Sequence, residues 1–401
     1  VAEGLKGKES MGIKQEYSRA GARLLAHVEN GTTDWGPGVR RVPVDDYLNA
    51  DRWQREMEQI FRRQPLLLAL SIELPEKGSF KTMEVAGRPV LMTRGKDGVV
   101  RAFLNVCSHR QALVVEQACG TAGRFTCPYH GWTFAQDGRL IGLADRQKFG
   151  EVDASGLGLV ALPCAERAGM VFVTLTPDAP FDLDGFLAGF LPDLEWLGFE
   201  TWYHHRTNVI RGACWKVVTD GFLEGYHFAA AHPETIHAST KSNVMTYDFF
   251  GPHQRVGFAR QNILEMKGTP EDEMWRSEGA HFGFVRFVFP NVAFSLGRNG
   301  GGTFTQIVPG ARPEETVAYQ HLIFPKTPQN DAEYAECERV ADFYKEVVTR
   351  EDFELGFRIQ KGLESGAYEH MTFGRNEWGN QHHHASIDSY VLDPAPLRKV
   401  G

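Results

Sequence analysis

The chain has 401 residues, 43 basic against 51 acidic side chains for a formal net charge of -8, and 42% hydrophobic residues. That length suits two cores better than one, and the negative balance argues against a nucleic-acid or anionic-membrane partner, leaving a small molecule as the better-fitting ligand. Six cysteines are too sparse for a disulfide scaffold, the first residues carry no apolar signal core, and the longest apolar run, LLLAL at Leu66 to Leu70, falls far short of the ~20 residues of a membrane span, so the expected compartment is the cytoplasm.

Residues 1–48 are Gly-rich at the start and read as an N-terminal arm. From Asn49 to Phe61, NADRWQREMEQIF places Trp53, Met57, Ile60 and Phe61 at helical spacing behind an Asn49 cap. From about Pro65 to Thr176 short β-branched and aromatic runs alternate with turn signals such as RGKDGVV, QDGRL and AERAGM, which predicts an all-β unit; with its leading helix it spans 49–178. The Pro and Asp cluster of TPDAPFDLDGF reads as a linker. Beyond it, 179–401 mixes a helical patch near Phe222 to Ala231, alternating strands such as FGFVRFVFP and TVAYQHLIFP, and a long helical stretch from about Asp331 to Leu363. The whole reads as α+β, with an antiparallel sheet and segregated helices in the second domain. The triplet His382 to His384 reads as an exposed polar turn.

Two short loops carry chemistry in the first domain. CSH supplies Cys107 and His109, and CPYH supplies Cys127 and His130. Two thiolates and two imidazoles suit a zinc ion, and they suit equally a 2Fe-2S cluster in which two cysteines hold one iron and two histidines the other. The pattern C-x-H, seventeen residues, C-x-x-H, running into GW and followed by DGRL, resembles the Rieske signature of bacterial ring-hydroxylating oxygenases, terminal oxygenase (alpha) subunits. Each loop then offers one ligand to each iron. Gly131 allows close backbone approach to an inorganic sulfide, and Trp132 and Phe134 screen the site from water. Ala112 and Tyr129 stand where respiratory Rieske proteins carry a disulfide. Cys119, Cys164, Cys214 and Cys337 read as packed thiols.

A second constellation lies in CWKVVTDGFLEGYHFAAAHPETI. Glu224 and His227 are three apart on a helical face, and His232 follows by five, an offset of about 140° on an ideal helix. Pro233 resolves the conflict by ending the helix at His232. In VVTREDFELGFRIQ, Val348, Asp352, Leu355 and Ile359 project to one stripe, whereas Glu351, Glu354 and Arg358 share the charged side. Asp352 is therefore the carboxylate on the apolar face, where burial is costly unless it is paired or metal-bound. Two histidines and a carboxylate make the facial triad of a non-heme Fe(II) oxygenase.

The same residues match the oxygenase family, and the resemblance, over roughly residues 50–395, implies the rest. His227, His232 and Asp352 would bind mononuclear Fe(II), Glu224 would bridge towards His130 of a neighbouring chain in a ring of three, and Cys107, His109, Cys127 and His130 would hold one 2Fe-2S cluster per subunit. The second domain would take a helix-grip fold of the START/Bet v 1 type. Partners implied are O2, a small-molecule substrate, and a reductase or ferredoxin as electron donor, with a small beta subunit an option for the trimer. An Asn common before the segment is replaced here by Asp220. No nicotinamide-binding glycine motif is visible. Aromatic ring hydroxylation ranks first among the reactions, suggested by Phe222, Phe228, Phe282 and Phe294 near the iron segments. Oxidative O- or N-demethylation, including quaternary-amine oxidation, ranks second, and a 2Fe-2S electron carrier with a ligand-binding domain is the reading from another class.

Overall fold

The computed structural model describes residues 2–296 and 300–392, and these divide into two compact units. The division falls at Met57 and Leu183, and residues up to 56 belong with the second unit. The expected arm is instead a long helix, Ala2–Asn30. Its Tyr17, Ala20 and Leu24 pack on Phe282 and Phe284, which explains why a segment with no strong apolar stripe is nevertheless ordered. No helix among the described residues is long and apolar enough to cross a membrane.

The unit of residues 57–183 is all-β. Its larger sheet orders Ala161–Leu162, Val100–Leu104, Arg88–Arg94, Ser79–Val85 and Cys119–Thr121, all antiparallel. In a second sheet Met170–Val173 is the central strand, paired with Leu66–Leu70 on one side and Cys164–Arg167 on the other. The LLLAL run is wholly buried, as a continuous apolar strand must be. Ala168 and Gly169, both at positive φ, form the two-residue hairpin between Arg167 and Met170, the primed turn whose twist matches its strands. A small third sheet of Phe125–Thr126, Thr133–Phe134 and Leu140–Gly142 frames the CPYH loop.

The other unit is built on a seven-stranded antiparallel sheet. The edge strands are Tyr203–Gly212 and Thr240–Phe250, consecutive in sequence but on opposite edges. Between them the chain must cross the sheet, and the crossing carries the short helices Trp215–Asp220, Phe228–Ala231 and Ile236–Ser239. The remaining strands follow as hairpins, and the helices Asp331–Val347, Glu354–Glu364 and Trp378–Val391 complete the unit. This is the α+β helix-grip arrangement that the resemblance implied.

Two local expectations are corrected and one is refined. The patch 222–231 is helical only from Phe228, because Gly221 and Gly225 interrupt it. The helical stretch from Asp331 runs through to Glu364 as expected, with a π-helical segment, Val348–Phe353, inside it. The histidine triplet is no exposed turn: it lies within Trp378–Val391, with His383 and His384 buried and His383 edge-on to Trp215 and Phe287.

Candidate active site

The two ligand loops of the first unit turn out to be the same turn twice. Gln111 N–H donates to Cys107 O at 2.9 Å and Gly131 N–H to Cys127 O at 3.1 Å, while Cys107 N–H donates to Ala112 O and Cys127 N–H to Trp132 O, both at 2.8 Å. Gln111 and Gly131 take matching positive φ angles, 61° and 69°. The left-handed conformation is what the turn requires of Gly131, and Gln111 accepts the same strain. Cys107 and Cys127 are buried in the core of this unit, and burial pushes the Cys107 thiol up. The rings of His109 and His130 lie 4.6 Å apart, and His109 stacks on Trp132 at 4.7 Å. Cys107 and Cys127 interact with each other, the two imidazoles pair, and Trp132 and Phe134 are buried in the same unit. Cys214 and Cys337 are buried, Cys164 is half-buried, and Cys119 is exposed rather than packed.

In the second unit, the ligating atoms of His227, His232 and Asp352 lie within 4.8 Å of one another. His227 is the residue before helix Phe228–Ala231 and His232 the one after it, so the helix ends where Pro233 demands. Glu224 does not share a helical face with His227; the two meet across a tight turn, where the carboxylate binds His227 Nδ1 and the Tyr226 backbone N–H. Gly225 is needed inside this turn, since a Cβ there would stand 2.9 Å from both Phe228 and Phe258. Asp352 Oδ1 lies 2.9 Å from His232 Nε2 and 3.8 Å from His227 Nε2.

Glu351, assigned to the charged side by projection, instead binds His232 Nδ1 at 2.6 Å and accepts from Thr235 Oγ1 at 2.5 Å. The π-helical turn displaces the register that an ideal helix would give, so both neighbouring acids reach His232. Burial lowers the His232 pKa, but hydrogen bonds and charge from Asp352 and then Glu351 outweigh it and raise the value overall. Each histidine thus has its Nδ1 taken by a carboxylate and its Nε2 turned to the shared space, the tautomeric arrangement of a metal-ligating imidazole.

The cluster opens on a cavity of about 230 Å³. Leu355 and Ile359, the stripe shared with Asp352, line it, so the apolar face of that helix turns to the cavity, and Ile359 is 42% exposed. Four acids, Asp220, Glu224, Asp352 and Glu377, also line it, and none of its described lining residues is Lys or Arg. Asp220 accepts from Tyr47 Oη at 2.8 Å and meets buried His384 Nε2 at 3.1 Å, a link invisible to spacing because three distant segments supply it. Of the four phenylalanines expected near the site, Phe222 lines the cavity and Phe228 lies edge-on to His227. Phe282 and Phe294 are core, packed with Phe284 and with Phe199 and Phe304.

Comparison with known proteins matches two family models to the chain. Residues 64–154 match the Rieske [2Fe-2S] domain, and 195–393 the ring hydroxylating alpha subunit catalytic domain. The glycine betaine monooxygenase oxygenase subunit of Chromohalobacter salexigens is 32% identical over 220 residues, 53% of this chain and 48% of that one. The matched region thus spans about half the length of that relative. The carnitine monooxygenase oxygenase subunit of Escherichia coli K12 is 27% identical over 338 residues, 82% of this chain and 85% of that one. The crystal structure of the quaternary ammonium Rieske monooxygenase CntA superimposes with a TM-score of 0.78 at 24% identity, covering 88% of this chain and 96% of that one, a likeness of fold.

Proposed function

We propose, for a chain that belongs to the Rieske-type ring-hydroxylating oxygenase alpha-subunit family, that it is a terminal monooxygenase oxidising a methylated, positively charged amine. The observation that carries this is that His227 and Asp352 of the His227, His232 and Asp352 cluster stand on the wall of a cavity lined by four acids and, among the described residues, by no Lys or Arg. Low local dielectric makes such a wall hostile to an anion and favourable to a cation. The relatives named for glycine betaine and carnitine agree in the quaternary ammonium group, though the carboxylate those compounds also carry meets no Lys or Arg among the described cavity residues. Aromatic hydroxylation, ranked first from sequence, rested on phenylalanines of which two are plain core, and so yields to the reading ranked second.

The residues present fit the groups this family holds. At the first site the two thiols and the two imidazoles sit in paired turns of one kind, and buried His109 Nδ1 has no hydrogen-bond partner among the described residues, which suits a ligand atom. At the second, both Nε2 atoms and one carboxylate share a space while Glu224 and Glu351 occupy the opposite nitrogens. When bound, the 2Fe-2S cluster supplies single electrons and the mononuclear Fe(II) activates O2. Glu224 fixes the orientation of His227, and Glu351, steadied by Thr235, fixes that of His232. Phe353, Leu355 and Ile359 form an apolar part of the wall against which a substrate's methyl groups can pack. We infer further that electrons come from a separate reductase or ferredoxin. In a ring of three, Glu224 would join His227 to His130 of the partner subunit.

The test is turnover of the iron-loaded protein with a reductase against a panel of trimethylammonium compounds and neutral arenes. Substrate-dependent O2 uptake with the ammonium compounds, and release of formaldehyde or an aldehyde from cleavage of a C–N bond, is expected. Hydroxylated arenes with no response to the ammonium compounds would restore the aromatic reading.

A further inference from the structure

Of the four acids in the cavity, three are committed. Glu224 holds His227 Nδ1, Asp352 sits on His232, and Asp220 takes the Tyr47 hydroxyl and His384. Glu377 is different: among the described residues its carboxylate accepts only the Gly374 backbone N–H, at 2.6 Å. It immediately precedes helix Trp378–Val391, and Asn380 follows three residues on, so the two side chains lie on neighbouring positions of one helix end. Asn380 is 1% exposed and lines the same cavity. Its Nδ2 donates to Asp220 O at 2.9 Å, which fixes the amide's orientation and leaves Oδ1 buried without a partner among the described residues. A buried acceptor without a donor is costly, and it occurs here near a half-buried carboxylate with no ion pair to Lys or Arg among the described residues.

We propose that Glu377 is the counter-ion that selects a positively charged head group in this cavity, with Asn380 Oδ1 as a second acceptor for the polarised hydrogens around the charge. The proposal rests on the cationic-substrate reading above and names the residue that enforces it. A carboxylate and an amide oxygen are both acceptors, so together they disfavour an anion. Methyl groups on a quaternary nitrogen carry part of its charge and present it to oxygen acceptors and to aromatic faces, and Phe222 and Phe373 stand in the same wall. Burial, and then the charges of Glu224 and Asp220, push the Glu377 carboxyl up, an effect that a bound cation would offset.

The experiment is calorimetric binding to the iron-loaded protein, anaerobic and without reductant. The probes are choline and its neutral isostere, in which a tert-butyl carbon replaces the nitrogen. The expected result is choline at least about tenfold tighter than the isostere in the wild type, with that preference lost in Glu377→Gln and largely kept in Glu377→Asp. Iron content and the cluster spectrum should be unchanged in both variants. If the wild type prefers choline and Glu377→Gln keeps the preference, Glu377 is not the counter-ion while the cationic reading stands. Equal weakening of both probes by Glu377→Gln would mark a structural role and overturn the proposal. A wild type without preference would overturn the cationic reading and the role of Glu377 together.

Discussion

At the scale of single residues, the site depends as much on the carboxylates behind the histidines as on the three groups whose ligand atoms converge. Glu351 holds His232 Nδ1 at 2.6 Å. Glu351→Gln replaces a charged acceptor by an amide and is expected to lower Fe(II) affinity about 10- to 100-fold, read by metal titration, with the 2Fe-2S spectrum intact. An unchanged affinity would mean that Glu351 does not set the orientation of His232. The converging set was legible in the sequence because chemistry demands particular residue types, and because Pro233 fixes where a helix must stop. Glu351 was not, since the projection that singled out Asp352 assumed an ideal helix and the chain is π-helical over Val348–Phe353.

At the scale of elements, the helix just ahead of the iron segment is held by a buried ion network. Glu56, fully buried, accepts from Lys216 Nζ at 2.6 Å, from Trp215 Nε1 at 3.0 Å and from Arg52 Nε at 3.2 Å. The helix Ala50–Glu56 is thereby tied to Trp215–Asp220. Lys216→Met leaves Glu56 short of its main cation and is expected to cost about 3 to 5 kcal/mol, measured as a fall in the urea midpoint. Adding Glu56→Gln should recover part of that loss. A loss below about 1 kcal/mol would show the network to be dispensable. Sequence periodicity found the helix from Asn49 and its cap, whose Oδ1 accepts from Arg52 N–H at 2.9 Å. It missed the burial of His383 and His384, because Trp378–Val391 is packed on most sides and shows no clean apolar stripe for polar residues to violate.

At the scale of the molecule, buried neutral histidines set the response to acid. His253 is fully buried; its Nε2–H donates to Phe186 O at 2.7 Å and its Nδ1 accepts from Phe289 N–H at 3.0 Å, so protonation destroys one bond. Burial lowers its pKa from 6.5 to about 4, and burial drives His383 down as well. The unfolded chain therefore binds a proton that the folded chain refuses. Stability is complete above about pH 6.5 and drains away as pH falls towards about 4, by up to about 3 kcal/mol for His253 alone. Denaturation midpoints at neutral and mildly acid pH should show the loss, and His253→Gln, though weaker at neutral pH, should show a shallower acid slope. A wild-type midpoint that does not move would contradict this. The two-unit organisation was legible in the change of texture near Pro65 and near Thr176. The allegiance of residues 1–56 was not, because it is decided by long-range packing of the first helix on Phe282 and Phe284.

The central claim is that one chain holds both an electron-carrying cluster and a mononuclear iron. It is tested most directly by iron and acid-labile sulfide per chain, with a visible spectrum, on anaerobically purified wild type and Asp352→Ala. About three irons and two sulfides are expected in the wild type, falling to about two irons in the variant with the Rieske spectrum intact. About two irons in both proteins after reconstitution with Fe(II) would contradict the oxygenase reading in favour of an electron carrier, and a colourless sample holding zinc would contradict the cluster itself.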